Sequence, residues 1–564
     1  MPDAIPVSPI PVSPIPVSAV PALLDDAVAR HAGRPAMEFM GRRWTYQAFG
    51  ALVDRAARGL QDLGLRRGDR VGLCLPNLPY FPILYYATLR AGGVVVNYNP
   101  LYVERELLYQ IKDSGTAIMA VPDLAMIHGK VAAVASEGGL RRIVACPMAG
   151  ILPPLKAAAY RAAKRRETAR IPRRDGLHVA FAELVANRAP PDPALIEPGR
   201  DVAVLQYTGG TTGVPKGAML THANLTANAR QVAAHMTGLA PGGERVLAVL
   251  PLFHVFAMTS AMNFAVEMGA ELILQPRFVL EDVMRAIERQ RVTIFPAVPT
   301  IYGAVNKAVA AGSKRDLTSV KACISGGAPL PGEVRDRFIA LTGCKLVEGY
   351  GLTEASPVVA CNPPDGPIHP GTVGIPMQGT SIEIRDPAAP HALLPQGERG
   401  EVCVRGPQVM AGYWGRPAES EASFVDGALR TGDVGVLDAD GYLSIVDRIK
   451  DVILCGGYNV YPRTLEEALY EHEAVAEAVV IGVPDAYRGQ APKAFVVLRE
   501  GAEATPEALR EHLAGCVSRI EMPREIEIRA SLPKTGVGKL SKKELVEEEK
   551  GIEAAAEPAR ALRG

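Results

Sequence analysis

The 564-residue chain lacks an excess of charge of either sign. Lysine and arginine together number 61, and aspartate and glutamate together also number 61. A balanced chain presents no overall field that would attract nucleic acid, so no nucleic-acid partner is expected and partners must be inferred from local sites. The chain is too long for a single hydrophobic core, so two or more domains are expected.

Closely spaced cysteines are also missing. The eight cysteines are scattered, and no two of them form a CxxC pair. This spacing argues against a zinc knuckle and against a disulfide framework, and it favours reduced thiols in a cytoplasmic protein. The first residues contain no basic segment followed by an apolar core, so no secretory signal is expected.

Long uninterrupted apolar runs are few. The most apolar stretch, residues 247–269, contains Pro251, His254 and Glu267. It therefore predicts a buried strand, loop and helix rather than a membrane span. The strongly basic residues 154–174 predict a solvated helix, and a helix lying on an anionic membrane surface is the alternative.

Several catalytic motifs are absent. The sequence has no H-E-x-x-H, its ten histidines do not cluster, and no G-x-G-x-x-G lies on a strand-to-helix turn. Around Ser325, Cys323 occupies the first glycine position of a G-x-S-x-G nucleophile motif. Lys216 is followed by Gly217, so the glycine-rich run before it is not a Walker A loop. Covalent catalysis and hydride transfer are therefore not indicated.

Short apolar runs alternate with stretches of helical composition over most of the chain. This alternation predicts an α/β fold with largely parallel sheets. After about residue 375, short alternating strands predict a β-rich subdomain, and a compact α+β unit begins near Asp451. The predicted bounds are a disordered Pro-rich tail over 1–19, a large N-terminal domain over 20–449, a small mobile C-terminal domain over 450–546 and a flexible tail over 547–564.

Glycines, hydroxyls and a lysine are concentrated in "YTGGTTGVPKG", residues 207–217. Glycines expose backbone N–H groups, threonine hydroxyls add donors, and the lysine adds positive charge, which are the groups that hold phosphate. The run predicts a phosphate-binding loop. The residues expected to bind the phosphate are Thr208, Gly209, Gly210, Thr211, Thr212, Gly213 and Lys216.

Three further segments carry residues suited to nucleotide chemistry. In "EGYGLTE", Tyr350 offers a flat ring for stacking on a base, and Glu354 offers a hard oxygen ligand for magnesium. In "RTGDVG", Asp433 is predicted to lie in a turn, where its carboxylate could accept from both ribose hydroxyls. In "PKTGVGKL", Gly536 and Gly538 predict a mobile loop that delivers Lys539.

These segments, in this order, resemble the adenylate-forming superfamily, which includes acyl-CoA synthetases, luciferases and peptide-synthetase adenylation domains. The resemblance runs from about Val20 to Leu545. Within the superfamily, "LQYTGGTTG", "LPLFHVFAM" and "GGYNVYPRTLEEAL" look most like bacterial long-chain fatty-acid–CoA ligases. The resemblance implies that a fatty-acid carboxylate attacks the α-phosphate of ATP with Mg²⁺ present. The CoA thiol then attacks the acyl-adenylate and releases AMP.

The resemblance also implies a role for each matching residue. Lys539, Thr353, Glu354 and His254 would be catalytic, and Glu354 and Thr208 would bind magnesium. Lys450 would be the hinge of the C-terminal domain. ATP would contact the phosphate loop and Gly326, Gly327, Ala328, Pro329, Glu348, Gly349, Tyr350, Gly351, Thr353, Asp433 and Arg448. CoA would contact Gly456, Gly457 and Tyr458, and the acyl pocket would include His254, Val255 and Phe256.

Other functions remain open at this point. The protein could be an aryl- or dicarboxylate–CoA ligase, a stand-alone ligase that loads an acyl carrier protein, or a catalytically silent binding protein on this fold. Glu354, Asp433 and Lys539 are all present, which favours an enzyme. The sequence departs from the family pattern at Val537, where a small hydroxyl residue is usual. A homodimer is compatible with the sequence, which does not fix the assembly state.

Overall fold

The computed structural model describes residues 15–172, 175–208, 214–455, 458–485, 488–534 and 540–550. The chain forms two compact units. The first contains the described residues up to Ser381 and Val404–Leu429, and the second contains Ile382–Cys403 and the described residues from Arg430 onward. The domain bounds inferred from the sequence remain a prediction.

The helices are given in chain order. They are α1 (Val20–His31), α2 (Tyr46–Asp62), α3 (Tyr80–Arg90), α4 (Glu104–Ser114), α5 (Ala125–Gly138), α6 (Pro154–Ala163), α7 (Phe181–Leu184), α8 (His222–His235), α9 (Val255–Ala257), α10 (Phe264–Glu267), α11 (Leu280–Gln290), α12 (Pro299–Ala310), α13 (Gly332–Thr342), α14 (Pro417–Ala422), α15 (Pro462–Tyr470) and α16 (Pro506–Ala514). Residues 542–550 are also helical.

The strands follow in the same order. They are β1 (Pro35–Phe39), β2 (Arg42–Thr45), β3 (Arg70–Leu73), β4 (Val94–Asn97), β5 (Thr116–Pro122), β6 (Arg142–Cys146), β7 (His178–Ala180), β8 (Val202–Thr208), β9 (Lys216–Thr221), β10 (Arg245–Ala248), β11 (Glu271–Leu274), β12 (Ala322–Ser325), β13 (Lys345–Gly351), β14 (Val358–Cys361), β15 (Ile375–Pro376), β16 (Ser381–Arg385), β17 (Gly400–Arg405), β18 (Phe424–Val425), β19 (Ala428–Leu437), β20 (Leu443–Arg448), β21 (Ile453–Cys455), β22 (Tyr458–Val460), β23 (Val475–Asp485), β24 (Gly489–Leu498) and β25 (Glu525–Ile528).

The largest sheet of the first unit has seven strands in the order β7-β6-β5-β3-β4-β8-β9. Its neighbouring strands are parallel, except that β9 runs antiparallel to β8. Helix α3 lies between β3 and β4 in the chain, and its residues from Tyr80 to Leu89 are buried. Apolar strands joined by helices bury both faces of a parallel sheet, so the predicted α/β class is confirmed.

Two smaller sheets complete the first unit. One has the order β10-β11-β1-β2, and β1 pairs in parallel with β11 through Met37 and Leu272. The other has the order β12-β13-β14-β15, with β12 parallel to β13 and β13 antiparallel to β14. Sites that bind nucleotides often lie at the carboxyl ends of such parallel strands. The ends of β8, β12 and β13 are therefore candidate positions for a nucleotide site.

The apolar stretch 247–269 forms the end of β10, a loop, α9, a wider helical turn over Met258–Asn263 and α10. Its apolar side chains pack into the main core cluster. In the part of the chain that the structure describes, no helix is long and apolar enough to cross a membrane. The prediction of a buried strand, loop and helix is confirmed.

The basic segment contains α6 and the residues that follow it. Residues 161–167 are all exposed, and Leu155 in the first turn of α6 is 88% exposed. Lys164 pairs with Glu167 at 2.6 Å. The prediction of a solvated helix is confirmed for Pro154–Ala163 and is wrong for residues 164–172, where the chain forms a turn and then non-helical segments.

The second unit contains a sheet of order β22-β21-β24-β23, with β25 parallel to β24. Helices α15 and α16 pack against it around a core that includes Leu465, Leu469, Leu509 and Leu513. A further sheet has the order β16-β17-β19-β18, with β20 paired to β19. The small α+β unit expected at the C-terminal end of the chain is confirmed as part of this fold.

Candidate functional site

The phosphate-loop residues lie at the turn of a β-hairpin. Thr208 ends β8, Lys216 begins β9, and the two residues pair directly across the hairpin. The sheet therefore brings the first hydroxyl and the lysine of the motif together. Gly209, Gly210, Thr211, Thr212 and Gly213 lie outside the described residues.

Helix α4 is hydrogen-bonded to β8 and to the residue that precedes β9. The Tyr109 hydroxyl donates to the Pro215 carbonyl at 2.9 Å, and the Tyr207 hydroxyl donates to Asp113 at 2.6 Å. Burial and the Asp113 carboxylate both raise the pKa of Tyr207, so its hydroxyl stays protonated and remains a donor. Asp113 also accepts from Arg416 at 2.6 Å.

Lys216 lies beside an aromatic ring and several charged side chains. Its ammonium forms an ion pair with Glu419 and lies 5.4 Å from the centre of the Tyr413 ring. A cavity of about 420 Å³ is lined by Val214, Lys216, Arg416 and Glu419. Two cations at one cavity are suited to an anionic group, and the Glu419 carboxylate is the counter-ion that such a group would compete with.

Glu354 belongs to a short helical turn, Thr353–Ala355, that follows β13. The Tyr413 hydroxyl donates to Glu354 Oε1 at 2.9 Å, and the Met410 N–H donates to the Glu354 carbonyl at 2.8 Å. Burial and the neighbouring carboxylate raise the pKa of Tyr413, which keeps its proton on the hydroxyl. The half-buried Glu354 carboxylate and the Thr208 hydroxyl are hard oxygen donors, so the donor set fits a magnesium ion.

Tyr413 therefore connects two of the sequence motifs. Its ring faces Lys216 and its hydroxyl holds Glu354. The segment that carries it pairs with β9, because Met219 N–H donates to the Gly412 carbonyl and Trp414 N–H donates to the Gly217 carbonyl, both at 2.8 Å. The hairpin and the Glu354 turn are thus held in one fixed arrangement within the first unit.

The residues expected around adenine lie at the ends of β12 and β13. Glu348 Oε1 accepts from Leu330 N–H at 3.2 Å, which joins the turn after β12 to β13. Gly326 is buried, and a Cβ at this position would lie 3.1 Å from the Phe256 ring. Tyr350 is half-buried in β13. The other residues expected around adenine lie in the turn after β12 and at the end of β13. Gly327, Pro329 and Gly351 are exposed, and Ala328 and Gly349 are half-buried.

Gly351 shows why glycine is needed beside the Glu354 turn. A Cβ on Gly351 would lie 2.0 Å from the Pro357 carbonyl oxygen, which belongs to the backbone and cannot move aside alone. The Leu352 N–H donates to that same carbonyl at 3.1 Å. The close approach of these backbones sets the position of the turn that carries Thr353 and Glu354.

His254 caps helix α9 from the loop after β10. Its Nδ1 accepts from the Phe256 N–H at 3.3 Å, which assigns the ring proton to Nε2. Val255 is buried, and Phe256 reaches Gly326. The structure therefore brings Phe256 of the predicted acyl pocket against the segment expected to hold adenine.

The prediction that Asp433 lies in a turn is wrong. Asp433 lies in β19, pairs directly with Arg448 of β20, and is only 4% exposed. The preceding Gly432 has a φ of 71°, which bends the strand locally and gives the sequence the composition of a turn. Arg448 Nε donates to Asp433 Oδ1 at 3.0 Å, so these two predicted partners do meet.

The other predicted residues of the second unit are partly described. Lys450 lies in a short turn, Ile449–Asp451, and loss of hydration lowers its pKa against the opposing effect of Asp451. Tyr458 begins β22 and is 62% exposed. Gly456, Gly457 and Lys539 lie outside the described residues.

A second cavity, of about 570 Å³, lies within the second unit. It is lined by Asp485, Arg488, Arg510, Ala514, Arg519, Met522, Pro523 and Arg524. Arg510 is fixed by donating to the Pro523 carbonyl at 2.6 Å and to the Arg524 carbonyl at 3.0 Å. Four guanidinium groups and a single carboxylate give this cavity a positive balance, which suits a polyanionic ligand.

Sequence reasoning missed several of these residues. Tyr413, Arg416 and Glu419 lie in "GYWGRPAES", and Asp113 lies in the last turn of α4. The only local pattern that could have indicated them is the aromatic pair Tyr413–Trp414 followed by Arg416. The arginines of the second cavity come from the residue before β24, from α16 and from the segment before β25, so their convergence is a property of the fold.

Family models match most of the chain. Residues 24–414 match the model for the AMP-binding enzyme, and residues 464–539 match the model for the AMP-binding enzyme C-terminal domain. The chain belongs to the AMP-binding enzyme family. Lys216, Tyr413 and Glu354 lie within the matched residues or directly at their end.

Individual relatives are consistent with membership of this family. The chain is 42% identical to a long-chain-fatty-acid–CoA ligase of Bacillus subtilis over 94% of each chain. It is 35% identical to a feruloyl-CoA synthase of Amycolatopsis, with 90% of this chain and 95% of that one covered. Among solved structures, ATP-bound MatB from Rhodopseudomonas palustris superposes with a TM-score of 0.82 at 29% identity, covering 95% of this chain and 100% of that one.

Proposed function

We propose that the protein is a fatty acyl-CoA synthetase, which joins a medium- or long-chain fatty acid to CoA through an acyl-adenylate. ATP is consumed, and AMP and pyrophosphate are released. The observation that carries the proposal is the Lys216–Tyr413–Glu354 arrangement in an AMP-binding enzyme. Its support at the level of substrate is the 42% identity with a relative that bears the long-chain name.

Activation of a carboxylate needs its attack on the α-phosphate while the other phosphates are held. Thr208 and Lys216, with the loop between them, would hold the β- and γ-phosphates, and Thr353 would contact the α-phosphate. Magnesium, bound by Glu354 and Thr208, would screen the phosphate charge. The Tyr413 hydroxyl orients Glu354 for this role. Lys539 would bridge the carboxylate and the α-phosphate.

The remaining parts of the nucleotide are assigned to other residues. Tyr350, with Glu348, Gly349, Gly351 and the segment Gly326–Pro329, would pack around adenine. Asp433 would accept from the ribose hydroxyls, and the ion pair with Arg448 orients its buried carboxylate. Lys450 would be the hinge about which the C-terminal domain moves Lys539 away after the first step.

The acceptor is CoA rather than a carrier protein. Coenzyme A carries several phosphate charges, and the arginine-lined cavity of the second unit offers guanidinium groups for them. Tyr458, Gly456 and Gly457 would line the path of its thiol. His254, Val255 and Phe256 would lie where the acyl carbon meets that path.

An aryl acid is the second candidate substrate. A feruloyl-CoA synthase is 35% identical to this chain, and an anthranilate CoA ligase bound to anthranoyl-AMP superposes with a TM-score of 0.84 at 26% identity. The apolar surroundings of Phe256 suit an aliphatic chain as well as a ring. The aliphatic substrate is preferred because the long-chain relative is more similar.

A panel of acids tests this proposal. Acids from C2 to C18, together with aryl acids and dicarboxylates, would be assayed with ATP, magnesium and CoA for pyrophosphate release and thioester formation. We expect the highest kcat/KM with medium or long aliphatic acids. We expect Lys539→Ala to abolish pyrophosphate release while ATP binding is retained. A wild-type enzyme that releases no pyrophosphate with any acid would refute the synthetase.

A membrane role for the basic segment is a separate part of the proposal. The enzyme would be cytoplasmic, and exposed Lys164, Arg165 and Arg166 would attract it to anionic lipid that holds its substrate. Neutralising these three residues is expected to reduce sedimentation with anionic liposomes and to leave activity on a soluble acid intact. Unchanged sedimentation would reject this contact. A homodimer remains a prediction for the assembly state.

A further inference from the structure

Three metal-binding side chains meet in the second unit, away from the residues assigned to catalysis. Glu471 caps the C-terminal end of α15, His512 lies in the last turn of α16, and Cys516 follows one turn later. One potential ligand atom from each residue lies within 4.8 Å of the others. None of the three has a role in the proposed reaction.

The chemistry of this donor set selects the type of ion. A thiolate, an imidazole and a carboxylate together suit a borderline cation such as zinc, whereas magnesium and calcium prefer oxygen ligands alone. The Cys516 sulphur lies 3.9 Å from His512 Nε2. Two ligands of a tetrahedral zinc ion with ordinary bond lengths are separated by roughly 3.6 Å, so this sulphur–nitrogen distance is close to that of a zinc site.

Coordination through His512 Nε2 requires the ring to turn away from the Ala468 carbonyl, which lies 2.9 Å from this atom. A metal bond would then replace that hydrogen bond, and the ring proton would move to Nδ1. A water molecule on the metal could donate to the Ala468 carbonyl in place of the ring. Glu471 and Cys516 are both exposed, so their side chains can turn toward Nε2 without disturbing the core.

Cys516 also differs from the other cysteines of the chain. The seven others are buried, whereas Cys516 is exposed. An exposed thiol can lose its proton to solvent and reach a metal from solution, while a thiol inside the core cannot. Thiolate coordination to an added metal would therefore report on Cys516.

We propose that Glu471, His512 and Cys516 bind a zinc ion that links α15 to α16. The thiol proton is released to solvent when sulphur coordinates the metal. Water occupies the fourth position. The ring of His472, whose centre is 5.2 Å from that of His512, lies beside the site.

The position on α16 indicates what such a link does. His512 lies on one side of α16, and Cys516 follows two residues after the helix ends at Ala514. Arg510 and Ala514, which line the arginine cavity, point to the other side at about 100° per residue. A metal that fixes α16 to α15 therefore steadies the element that carries part of that cavity. The role is structural and does not depend on the proposed reaction.

The test uses the full-length apo-protein and zinc alone, with cobalt as a spectroscopic substitute. We expect one zinc per chain and a thiolate-to-cobalt charge-transfer band. We also expect a higher Tm with zinc. Cys516→Ser should remove the band and the Tm increase, and should weaken zinc binding by at least about 100-fold, more than loss of an outer-shell partner costs. Glu471→Gln should weaken binding while keeping the band.

The matched control is Glu473→Gln, which changes an exposed carboxylate two residues away. It should bind zinc like the wild type. The proposal is overturned if the wild type binds no zinc, or if Cys516→Ser and Glu471→Gln bind it as tightly as the wild type. The latter result would mean adventitious surface binding only. None of these measurements uses catalysis, so their failure is distinct from failure of the synthetase proposal.

Discussion

Tyr413 joins two of the predicted site residues of the first unit. Its hydroxyl is a donor to Glu354, and its ring lies beside the Lys216 ammonium. Tyr413 is 59 positions from Glu354 in the chain and much farther from Lys216. Loss of the hydroxyl alone would release the carboxylate while the ring stays in place.

Tyr413→Phe is therefore expected to impair activation of the acid without unfolding the protein. A hydrogen bond to a charged group contributes about 1.5–3 kcal/mol, so kcat/KM for pyrophosphate release should fall by roughly 10- to 100-fold. The magnesium concentration for half-maximal rate should also rise, because Glu354 is less well oriented. Steady-state rates over a magnesium titration, with Tm as a check on folding, measure both effects.

Tyr160→Phe, in the basic segment, is the matched control and should behave like the wild type. A Tyr413→Phe enzyme with an unaltered magnesium response would show that the hydroxyl does not position Glu354. A purely structural role would lower the Tm and leave the magnesium response alone. The two readouts therefore separate positioning from stability.

Single residues also show where sequence reasoning reaches its limit. The glycines, threonines and lysine of the phosphate loop are adjacent in the chain, so their chemistry is visible in the sequence. Glu419 meets Lys216 only because the segment around Tyr413 pairs with β9. Gly432 gives the sequence around Asp433 the composition of a turn. Pairing with β20 nevertheless keeps Asp433 in a strand.

Helix α16 contributes both to the arginine cavity and to the hydrophobic core of the second unit. It supplies Arg510 and Ala514 to the arginine cavity, and its hydrophobic residues Leu509 and Leu513 pack into the core. Arg488 and Arg519 reach the same cavity from neighbouring segments. The cavity is therefore assembled from parts of the unit that fold together.

The double substitution Arg488→Ala and Arg519→Ala is expected to weaken CoA binding without affecting acid activation. Loss of charge-assisted contacts with phosphate should raise the KM for CoA by roughly tenfold or more. Pyrophosphate release in the first step should be unchanged. Thioester formation measured with CoA and with dephospho-CoA, which lacks one phosphate, would show a smaller defect for the second acceptor.

Lys543→Ala is the control for this double variant. Lys543 is an exposed cation of the same unit, but it pairs with Glu547 and does not line the arginine cavity. Its KM for CoA should match that of the wild type. An arginine double variant with wild-type KM for CoA would show that the phosphates bind elsewhere. Equal defects with both acceptors would exclude a contact with the phosphate that dephospho-CoA lacks.

The sequence predicts elements better than it predicts their contacts. The strands β3 and β4 and the helix α3 between them follow from apolar runs and the glycines that end them. Helices α15 and α16 follow from their amphipathic pattern, with buried leucines at helical spacing. The convergence of arginines from separate elements depends on sheet order, which the pattern of a single chain does not determine.

At the scale of the whole molecule, a buried histidine makes stability depend on pH. His222 Nδ1 accepts from the Val20 N–H, and burial lowers the pKa of His222 to about 4 against the opposing effect of Asp201. The unfolded chain, with an ordinary value near 6.5, therefore binds more protons than the folded chain between these two pH values. Stability should be fully present above about pH 6.5 and fall as the pH decreases toward about 4.

The expected loss of unfolding free energy from this group is about 3 kcal/mol across that range. His222→Gln keeps an acceptor for Val20 but has no proton to gain, so its stability should change less between about pH 7 and pH 5. Denaturant unfolding at the two pH values measures this difference. His391→Gln, at an exposed site, is the control. Equal pH dependence in His222→Gln and the wild type would show that His222 is not responsible.

The sheet order β10-β11-β1-β2 has a consequence for how the protein is made. Met37 of β1 pairs with Leu272 of β11, so this sheet cannot close until the chain beyond Leu274 has left the ribosome. Throughout that interval, the hairpin of β1 and β2 presents an unpaired edge. Slower translation before this point prolongs its exposure, and chaperones that cover strand edges would be needed most by a nascent chain about half its final length.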